Sequence, residues 1–503
     1  MDDIHKTTVE RICKDTRRFY ETKSKFRVYH GSTNSTRHAK FDRDAIIDVS
    51  TLNRVLSIDV KRKTALVEPN VPMDALVRET KKAGLLPPVV MEFPGITVGG
   101  GFVGTAGESS SFKYGFFDRT VNWAEVVLAN GTVVKASETE HPDLFNGLAG
   151  SFGTLGVLTL VELRLIDIKK FVELTYHPVA SIKESISKTQ EETLKEENDY
   201  VDGIILAKNN GAIISGRLTD EVPRLSMLQM FSRAWDPWFY LHAEEMVRNG
   251  KPHKEFVPIE DYLFRYDRGA FWTGMYGFKF FWTPFNWFTR LLLDYFMHTR
   301  VMYHALHASG HTDRYIIQDL ALPANNAAAF INYIDSRFGL YPLWLCPLPP
   351  NTRGSMAHPH SLARNPNAAN STEPEQYINV GVWGPYPSSQ DEYVNANRDL
   401  EQKVRDFGGL KWLYARAFYT EEEFWHIYDE KSYKALREKY KATSLPTVYE
   451  KVREDLKKKE AMYDTGFKGQ LKRIVLSTNL TRGFYGVYKA IRGGDYLLSK
   501  KQK

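Results

Sequence analysis

The chain has 503 residues, which is long enough for two or three domains of about 150 residues each. Apolar residues make up 43% and charged residues 25%, as in ordinary folded proteins, so disorder is not the expected state, while aromatic residues are frequent at 13%. The basic excess lies in residues 461–503, which contain nine Lys/Arg and two acidic residues, whereas the rest of the chain contains 58 basic and 59 acidic residues. A nucleic-acid-binding body is therefore disfavoured.

Cysteine usage and hydropathy exclude several classes of protein. The two cysteines, Cys13 and Cys346, are too few for a disulfide scaffold or a cysteine-based zinc or iron–sulfur site, and no metal site is predicted. This low cysteine content is typical of proteins in a reducing compartment. The first residues lack the apolar run of a signal peptide, and no stretch of about 18 apolar residues predicts a transmembrane helix.

The first third of the chain predicts an α+β unit with glycine-rich connections. Gly84 stands where a helix would end, and Asn130-Gly131 is a strong hairpin signal. Residues 157–165 partly alternate apolar and polar side chains, as in a half-buried strand. The predicted elements are strands at 45–49, 64–68, 125–129, 132–135 and 157–165 and a helix at 73–83.

Three glycine-rich segments allow a ligand to approach the backbone. They are residues 27–37, rich in Ser, Thr and Asn, residues 97–111, and residues 150–156. Backbone N–H groups with Ser and Thr hydroxyl groups can form a nest for a phosphate, although each segment alone also reads as a plain turn. Glycine costs conformational entropy unless something passes close to the backbone. Together the three segments predict a nucleotide cofactor.

The second segment contains the G-x-G-x-x-G spacing at Gly99, Gly101 and Gly104. A dinucleotide motif of the Rossmann type needs a strand before it and a helix after it. Residues 92–95 predict a turn and residues 107–111 cannot start an amphipathic helix, so we expect a glycine-rich loop without a Rossmann fold.

After about residue 170 the sequence has longer mixed segments, such as the charged helical stretch 181–198, and then an aromatic zone. Ten of the eighteen residues in 271–288 are aromatic. Lys279 and Pro284 exclude a plain spanning helix, so two interpretations stay open: aromatic core packing and a surface that faces lipid. Residues 347–375 predict a long surface loop.

These motifs resemble a known family. The three segments in this order resemble the FAD-binding domain of the vanillyl-alcohol oxidase/PCMH flavoproteins. More narrowly, the chain from about residue 26 to 452 resembles the delta-24 sterol reductases (Diminuto/Dwarf family). The motifs that carry this narrower resemblance are residues 97–100, 108–115, 125–131, 341–347, 413–415, 422–425 and 433–437.

The resemblance implies an α+β fold with a PCMH-type FAD-binding domain and an α/β cap domain. It also implies NADPH-driven reduction of the C24=C25 bond of a sterol side chain. Some members of the wider superfamily bind FAD covalently through a His at the position of Thr33, so noncovalent FAD is expected here. The expected organisation is a FAD domain at 1–170, a cap at 171–410, a returning segment at 411–458 and a basic tail at 459–503.

The glycine-rich segments and the resemblance together predict the FAD-binding residues. They are His30, Gly31, Ser32, Thr33, Asn34, Ser35, Thr36, Thr97, Val98, Gly99, Gly100, Gly101, Phe102, Val103, Gly104, Thr105, Ala106, Gly107, Glu108, Ser109, Ser110, Tyr114, Gly115, Gly150, Ser151, Gly153, Thr154, Gly156 and Val157.

The chain departs from the family in two places. Family members carry an amino-terminal membrane anchor that is missing here, and the basic tail after about residue 460 has no recognised counterpart. Leu471, Ile474, Val475 and Leu476 beside Lys472 and Arg473 predict either an amphipathic surface anchor or a solvated tail. We expect peripheral contact with the cytosolic face of the endoplasmic reticulum or another endomembrane, with a cytoplasmic protein as the alternative.

An isolated alkene has no carbonyl group to accept electron density, so its reduction requires an acid to protonate C24 while reduced flavin supplies hydride. Such a site should be dry and aromatic, with one acid of raised pKa. The candidate acids are Glu108, then Glu423 and Asp429, with Glu92 a weaker choice. Tyr114, Lys113 and Tyr414 are candidates to orient or donate, and His30 and His426 are further possibilities.

Two other functions stay open. A protein of the same fold could be an oxidase or dehydrogenase of an alcohol, with O2 reoxidising the flavin. Alternatively, it could bind sterol or membrane without catalysis and retain FAD structurally. The motifs after Tyr341 favour the reductase.

Overall fold

The fold is described from a computed structural model that covers residues 3–37, 41–310, 314–349, 376–386, 389–454, 479–494 and 497–498. The strands are β1 (Arg27–Tyr29), β2 (Ile46–Asp48), β3 (Val55–Asp59), β4 (Thr64–Val67), β5 (Leu85–Leu86), β6 (Val121–Val127), β7 (Val133–Ser137), β8 (Val157–Arg164), β9 (Ile166–Asp167), β10 (Phe171–Val179), β11 (Tyr200–Ala207), β12 (Asn210–Thr219), β13 (His253–Pro258), β14 (Tyr315–Pro323), β15 (Leu343–Leu348), β16 (Tyr377–Pro385) and β17 (Leu410–Lys411).

The α-helices of the described residues follow in chain order. They are α1 (Asp3–Glu21), α2 (Met73–Lys82), α3 (Val98–Gly104), α4 (Ser111–Tyr114), α5 (Pro142–Leu148), α6 (Ile182–Thr193), α7 (Phe239–Val247), α8 (Ile259–Leu263), α9 (Thr273–Phe280), α10 (Trp287–Leu292), α11 (Thr299–Ser309), α12 (Ala324–Phe338), α13 (Gln390–Asp406), α14 (Glu421–Ile427), α15 (Glu430–Lys439), α16 (Val448–Val452) and α17 (Asn479–Arg492). Within the ranges given above, no helix combines the length and apolar character needed to cross a bilayer.

Two antiparallel sheets dominate the fold, so the α+β expectation is confirmed. The first has the strand order β3-β4-β8-β6-β7, and the second, of eight strands, has the order β13-β10-β12-β11-β15-β16-β14-β17. In chain order the first sheet ends with Arg164 of β8 and the second begins with Phe171 of β10, while β9 between them pairs with β5 in a separate two-stranded sheet. β1 and β2 form a separate parallel pair in which Arg27 lies opposite Ile46.

Several predicted elements appear where the sequence places them. Helix α2 buries Met73, Leu76 and Val77, and Gly84 follows it with a φ of +73°. Asn130-Gly131 joins β6 to β7 as a hairpin. In β8, however, seven of eight residues are buried, so the expectation of a half-buried strand was wrong, because successive side chains point to opposite faces and both faces are buried.

The glycine-rich segment contains the helix α3, so the expectation of a loop there was wrong. The Thr97 hydroxyl group caps this helix by accepting a hydrogen bond from the Gly100 N–H at 3.2 Å. Tertiary contacts stabilise it, since a Cβ atom at Gly99 would lie 2.8 Å from Pro69 and one at Gly101 would lie 2.4 Å from Met91. Part of the glycine excess therefore serves packing within the protein.

The aromatic zone divides into a buried part and an exposed part. Phe271, Trp272 and Phe278 belong to the main core, whereas Trp282, Trp287 and Phe288 are exposed. The predicted loop at 347–375 begins later than expected, because β15 extends to Leu348, and 350–375 lie outside the described residues. The tail positions Leu471, Ile474, Val475 and Leu476 also lie outside them.

Candidate active site

A cavity of about 290 Å³ is lined by residues from both sheets and from the loops between them. The amino-terminal part contributes the loop after β1, helix α3, and Leu158 of β8. The second sheet contributes Asp319 from β14, Trp344 from β15, and Asn379 and Trp383 from β16. The site therefore depends on segments more than 200 residues apart in sequence.

Two buried glutamates mark one end of the cavity. Nη2 of Arg265 donates to Glu92 at 3.0 Å and to Asp202 at 2.7 Å, and all three side chains are buried. Burial raises the pKa of Glu92 to about 8, with Arg265 opposing the increase. Burial and then the neighbouring Glu92 raise the pKa of Glu108 well above its ordinary range.

Glu108 and Glu92 differ in their hydrogen bonding. The backbone N–H of Glu108 donates to Ser111 Oγ at 2.9 Å, but within the described residues its carboxyl group has no hydrogen-bond partner. Glu92 is held by Arg265. The Glu108 carboxyl group is therefore a protonated acid facing the cavity, free to donate to a bound molecule.

A second acidic group lies on β14. The hydroxyl group of Tyr414 donates a hydrogen bond to Asp319, and Asn379 Nδ2 donates to the same carboxyl group at 2.9 Å. Burial raises the pKa of Asp319 even though both hydrogen bonds favour the charged form. Tyr414 and Asp319 thus present a fixed polar pair at the cavity wall.

Aromatic rings form the wall between these acids. The Phe271 ring centroid lies 4.8 Å from that of Trp383 and 5.3 Å from that of Trp344, both edge to face. Phe93 contacts Phe271 at 5.7 Å and Tyr303 of α11 at 6.0 Å between centroids. Rings packed in this way give an apolar surface that also presents π faces to a cation.

The loop after β1 forms the other end of the cavity. Gly31 has a φ of +82°, and the backbone N–H groups of Ser32, Thr33 and Asn34 make no hydrogen bond to any described residue. Ser35 Oγ donates to the carbonyl oxygen of Tyr414 at 2.7 Å, which fixes the loop against the rest of the site. Successive free N–H groups form a nest suited to a phosphate.

Basic side chains surround this loop. Lys451 lines the cavity and donates to the carbonyl oxygen of Phe152, and Arg37 Nε donates to Ser35 Oγ at 2.9 Å. Burial, together with Arg27 and Arg37, lowers the pKa of Lys451 to about 7. Burial of its ring, with Lys451 and Arg27 nearby, lowers the pKa of His30 to about 4, so His30 is neutral. The cavity is acidic and aromatic at one end and basic at the other.

Helix α3 presents bare backbone to the cavity. A Cβ atom at Gly104 would have no neighbour closer than 3.8 Å, and one at Gly100 would lie 3.2 Å from Thr97 Oγ1 and 4.0 Å from Ile96 Cγ2, both beside the start of the same helix. Both glycines line the cavity, so the space that their missing side chains leave is open to a bound group.

Comparison with known proteins identifies the family of this chain. Residues 5–137 match the family described as "FAD binding domain". The chain is 30% identical to the Delta(24)-sterol reductase of Macaca fascicularis over 464 residues, which is 89% of this chain and 86% of that protein. The Delta(24)-sterol reductase of Pisum sativum is 29% identical over 82% of this chain and 76% of its own length.

The chain belongs to the delta(24)-sterol reductase family. The glycolate oxidase subunit GlcD of Bacillus subtilis is also similar, at 30% identity, but over only 27% of this chain. The expectation of a FAD-binding domain is therefore confirmed. The described cavity fits FAD, since the free N–H groups and basic residues suit its pyrophosphate and the open backbone of α3 suits a flat ring system.

For this reductase-family chain, many of the residues predicted for FAD line the cavity and others do not. Those that line it are His30, Ser32, Thr33, Asn34, Ser35, Thr97, Gly99, Gly100, Gly101, Val103, Gly104, Ala106, Gly107, Glu108, Gly153 and Gly156. Those that do not are Gly31, Thr36, Val98, Phe102, Thr105, Ser109, Ser110, Tyr114, Gly115, Gly150, Ser151, Thr154 and Val157. Val98 and Phe102 point instead into the core.

The predicted catalytic residues separate in the same way. Glu108 and Tyr414 line the cavity, as do Glu92 and His30, whereas five other candidates lie outside it. Glu423 caps α14 and pairs with Arg398 at 2.7 Å, which helps to lower its pKa against the opposing effect of burial. We therefore correct the expectation that Glu423 could be an acid of raised pKa.

The remaining four candidates lie in other local settings. The Asp429 carboxyl group caps α15 by accepting from the Ser432 N–H at 3.1 Å. Lys113 Nζ pairs with Asp199 at 2.7 Å, and Tyr114 beside it is absent from the cavity wall. The exposed His426 lies in the last turn of α14. None of these residues is retained as a candidate for the chemistry.

Sequence reasoning missed several residues of the site. Asp319, Asn379, Trp344, Trp383, Phe271, Tyr303 and Lys451 line the cavity but were not assigned to it individually. The aromatic zone at 271–288, which predicted a path for an apolar ligand, includes Phe271 and was the signal that could have placed this residue in the cavity. Trp344 lies within the family motif at 341–347. No signal marked the other strand positions or Lys451, because only the packing of distant segments brings them to the cavity.

Proposed function

We propose that this protein reduces the C24=C25 double bond of a sterol side chain with FAD as its cofactor and NADPH as the reductant. The observation that carries the proposal is a protonated carboxyl group, Glu108, in an apolar cavity whose other end fits FAD. Family membership supports the substrate class, since the relatives are named Delta(24)-sterol reductase.

The chemistry requires a proton before or together with hydride. A trisubstituted alkene is not polarised, so protonation of C24 by Glu108 would place positive charge on the tertiary carbon C25. FAD, when bound and reduced, supplies the hydride that C25 accepts. The carboxylate left on Glu108 regains its proton before the next cycle.

Glu108 is the proton donor in this proposal, in preference to Glu92. The Arg265 guanidinium group donates to Oε1 of Glu92 at 3.0 Å, so that oxygen atom is already engaged. Burial raises the pKa of Glu108, and the nearby acids Glu92 and Asp319 raise it further, so Glu108 stays protonated at neutral pH. Glu92 and Asp319 thus act on the donor electrostatically.

The aromatic wall has a matching role. The π faces of Phe271, Trp344 and Trp383 would stabilise positive charge that develops on the substrate, and their apolar surfaces would exclude water. Tyr414, held by Asp319, would limit how the side chain of the sterol lies in the cavity.

The reductant and the location belong to the same proposal. NADPH fits the reaction because regeneration of reduced FAD requires a hydride donor. We also propose that the protein works at the cytosolic face of the endoplasmic reticulum or another endomembrane in peripheral contact with it, since sterols reside in membranes.

An anaerobic flavin titration tests this function. NADPH should bleach the visible flavin band of the purified protein, and desmosterol should restore it in step with formation of the saturated sterol. A flavin that NADPH leaves oxidised but an alcohol reduces would move the assignment to an alcohol oxidase or dehydrogenase. A flavin that neither compound reduces would point to a binding protein.

A further inference from the structure

Two segments about 200 residues apart in sequence form one surface. The rings of Phe281, which follows α9, and Phe484 of α17 have centroids 5.1 Å apart. Helix α17 also packs closely on α11, since a Cβ atom at Gly486 would lie 2.6 Å from the carbonyl oxygen of Ala305. The aromatic zone and the described part of the basic tail are therefore continuous in space.

This surface, which we call the aromatic surface, exposes large apolar side chains. Phe288 and Leu292 lie one turn apart on α10, and Phe484, Tyr488 and Ile491 follow one face of α17. The exposed fractions are 80% for Trp282, 64% for Phe288, 70% for Leu292, 58% for Phe484, 51% for Tyr488 and 61% for Ile491. Clustered exposure of this kind marks an interaction site.

The charge of the aromatic surface is positive. Residues 273–297 and 479–494 contain five Lys/Arg, namely Lys279, Arg290, Arg482, Lys489 and Arg492, against one acid, Asp294. The Asp294 carboxyl group pairs with Arg268 at 2.8 Å, so its charge is already balanced. A partner of this surface should therefore be apolar with negative charge at its boundary.

We propose that the aromatic surface docks on an anionic lipid bilayer and lies within its interface. Trp and Tyr side chains prefer the boundary between hydrocarbon and headgroups, and Lys and Arg beside them attract anionic lipids. A second copy of this chain fits less well, because a symmetric contact would set positive charge against positive charge.

The surface lies next to the wall of the cavity. Helix α11, on which α17 packs, carries Tyr303 in the cavity wall, and His307 Nε2 of the same helix lies 2.8 Å from the carbonyl oxygen of Ser35. If the proposed sterol reduction holds, docking would set α11 between the bilayer and the site that receives the sterol. The docking itself does not depend on that substrate.

Vesicle sedimentation of the full-length protein tests the proposal without an activity assay. We expect binding to phosphatidylcholine vesicles to increase when phosphatidylserine is added and to decrease with salt. The triple variant Trp282→Ser, Phe288→Ser, Leu292→Ser should bind at least about tenfold more weakly, because it removes exposed apolar area. The control Val60→Ser, Leu194→Ser, which removes apolar area elsewhere, should bind as the unchanged protein does.

A charge variant makes the test independent of the triple variant. In the double variant Lys489→Gln, Arg492→Gln, vesicle binding should no longer increase when phosphatidylserine is added. Both residues are on the surface of α17. Wild-type binding by the triple variant, or an unchanged response in the charge variant, would overturn the proposal. The proposal would also fail if the unchanged protein did not bind vesicles but formed a dimer that the triple substitution dissociates. The aromatic surface would then bind a second copy of the chain.

Substrate delivery separates this inference from the proposed function. The triple variant should lose reduction of a sterol presented in vesicles but retain reduction of the same sterol presented in cyclodextrin. If neither form is reduced by the unchanged protein, the proposed function fails, while the vesicle-binding result still decides the docking surface.

Discussion

The guanidinium group of Arg265 donates to the carboxyl group of Glu92 at 3.0 Å in the buried wall of the cavity. The same nitrogen atom donates to Asp202 at 2.7 Å, so one cation serves two buried acids. Arg265 also lies over the Tyr262 ring at 4.1 Å, which explains how its charge is accommodated away from water. This cation thus connects the β11 strand to the acidic end of the cavity.

Replacement of Arg265 tests how much this cation contributes to the stability of the fold. Arg265→Met should lower the free energy of unfolding by about 3–5 kcal/mol, because Asp202 and Glu92 lose their buried cationic partner. Arg398→Met removes one partner of the half-exposed Glu423 pair and should cost about 1 kcal/mol or less. Urea denaturation measures both, and equal costs would contradict the assigned role.

The proton donor should be visible in the pH dependence of the reaction. Burial raises the pKa of Glu108, so donation is available below that raised pKa and is lost as the pH rises through it. The rate of substrate reduction by pre-reduced protein should therefore decrease on the alkaline side. Glu108→Gln should lower this rate by about 10²–10⁴-fold and remove the alkaline decrease.

Glu423→Gln is the matched control for Glu108→Gln, since it makes the same chemical change in a surface ion pair. It should leave the rate and its pH profile unchanged, and both variants should retain FAD. A Glu108→Gln protein that turns over normally would remove Glu108 from the mechanism and leave Glu92 or Asp319 as the donor.

FAD affinity should depend on the charge of Lys451. Its pKa of about 7 in the ligand-free protein should rise when an anionic pyrophosphate binds nearby. Binding then takes up a proton above that pH, so affinity should be greatest below about pH 7 and fall as the pH rises through it. Lys451→Met should weaken FAD binding about 10–100-fold and reduce this pH dependence.

Flavin fluorescence titration of the apoprotein measures this affinity without turnover. Lys439→Met provides the control, because Lys439 pairs with Asp143 at 2.6 Å on the surface. Equal FAD affinity in the Lys451 and Lys439 variants would show that Lys451 does not contact the cofactor.

Neighbouring glycines of α3 should respond differently to alanine. Gly99→Ala should cost about 1–3 kcal/mol of unfolding free energy, because its Cβ atom would lie 2.8 Å from Pro69 Cβ and 3.0 Å from the Pro69 carbonyl oxygen. Gly100→Ala should retain or gain stability, since alanine favours a helix, but should weaken FAD binding. Denaturation and flavin titration together separate these effects, and the reverse pattern would contradict the assigned faces of α3.

Local sequence signals predicted much of the first sheet. Helix α2 and the hairpin at Asn130-Gly131 depend on apolar spacing and turn chemistry within a few residues, so they could be read directly. The helix at Val98–Gly104 could not, because glycine disfavours helices and contacts with Pro69 and Met91 stabilise this one.

The site shows the same limit. Glu108 was predicted from a motif in its own loop, and it lines the cavity. Glu423 was chosen from its place in a family motif, but a nearby Arg398 on α13 makes it an ordinary surface carboxylate. Asp319 and Lys451 were missed because their positions in the cavity arise only when distant strands and helices pack together.

The aromatic wall has a consequence for which product leaves the site. A tertiary carbon that bears positive charge can be captured by hydride, to give a saturated side chain, or by water, to give a tertiary alcohol. Phe271, Trp344 and Trp383 place carbon atoms where water would otherwise be held by hydrogen bonds. These rings thus favour reduction over hydration, and smaller side chains in their place would shift the product mixture toward the alcohol.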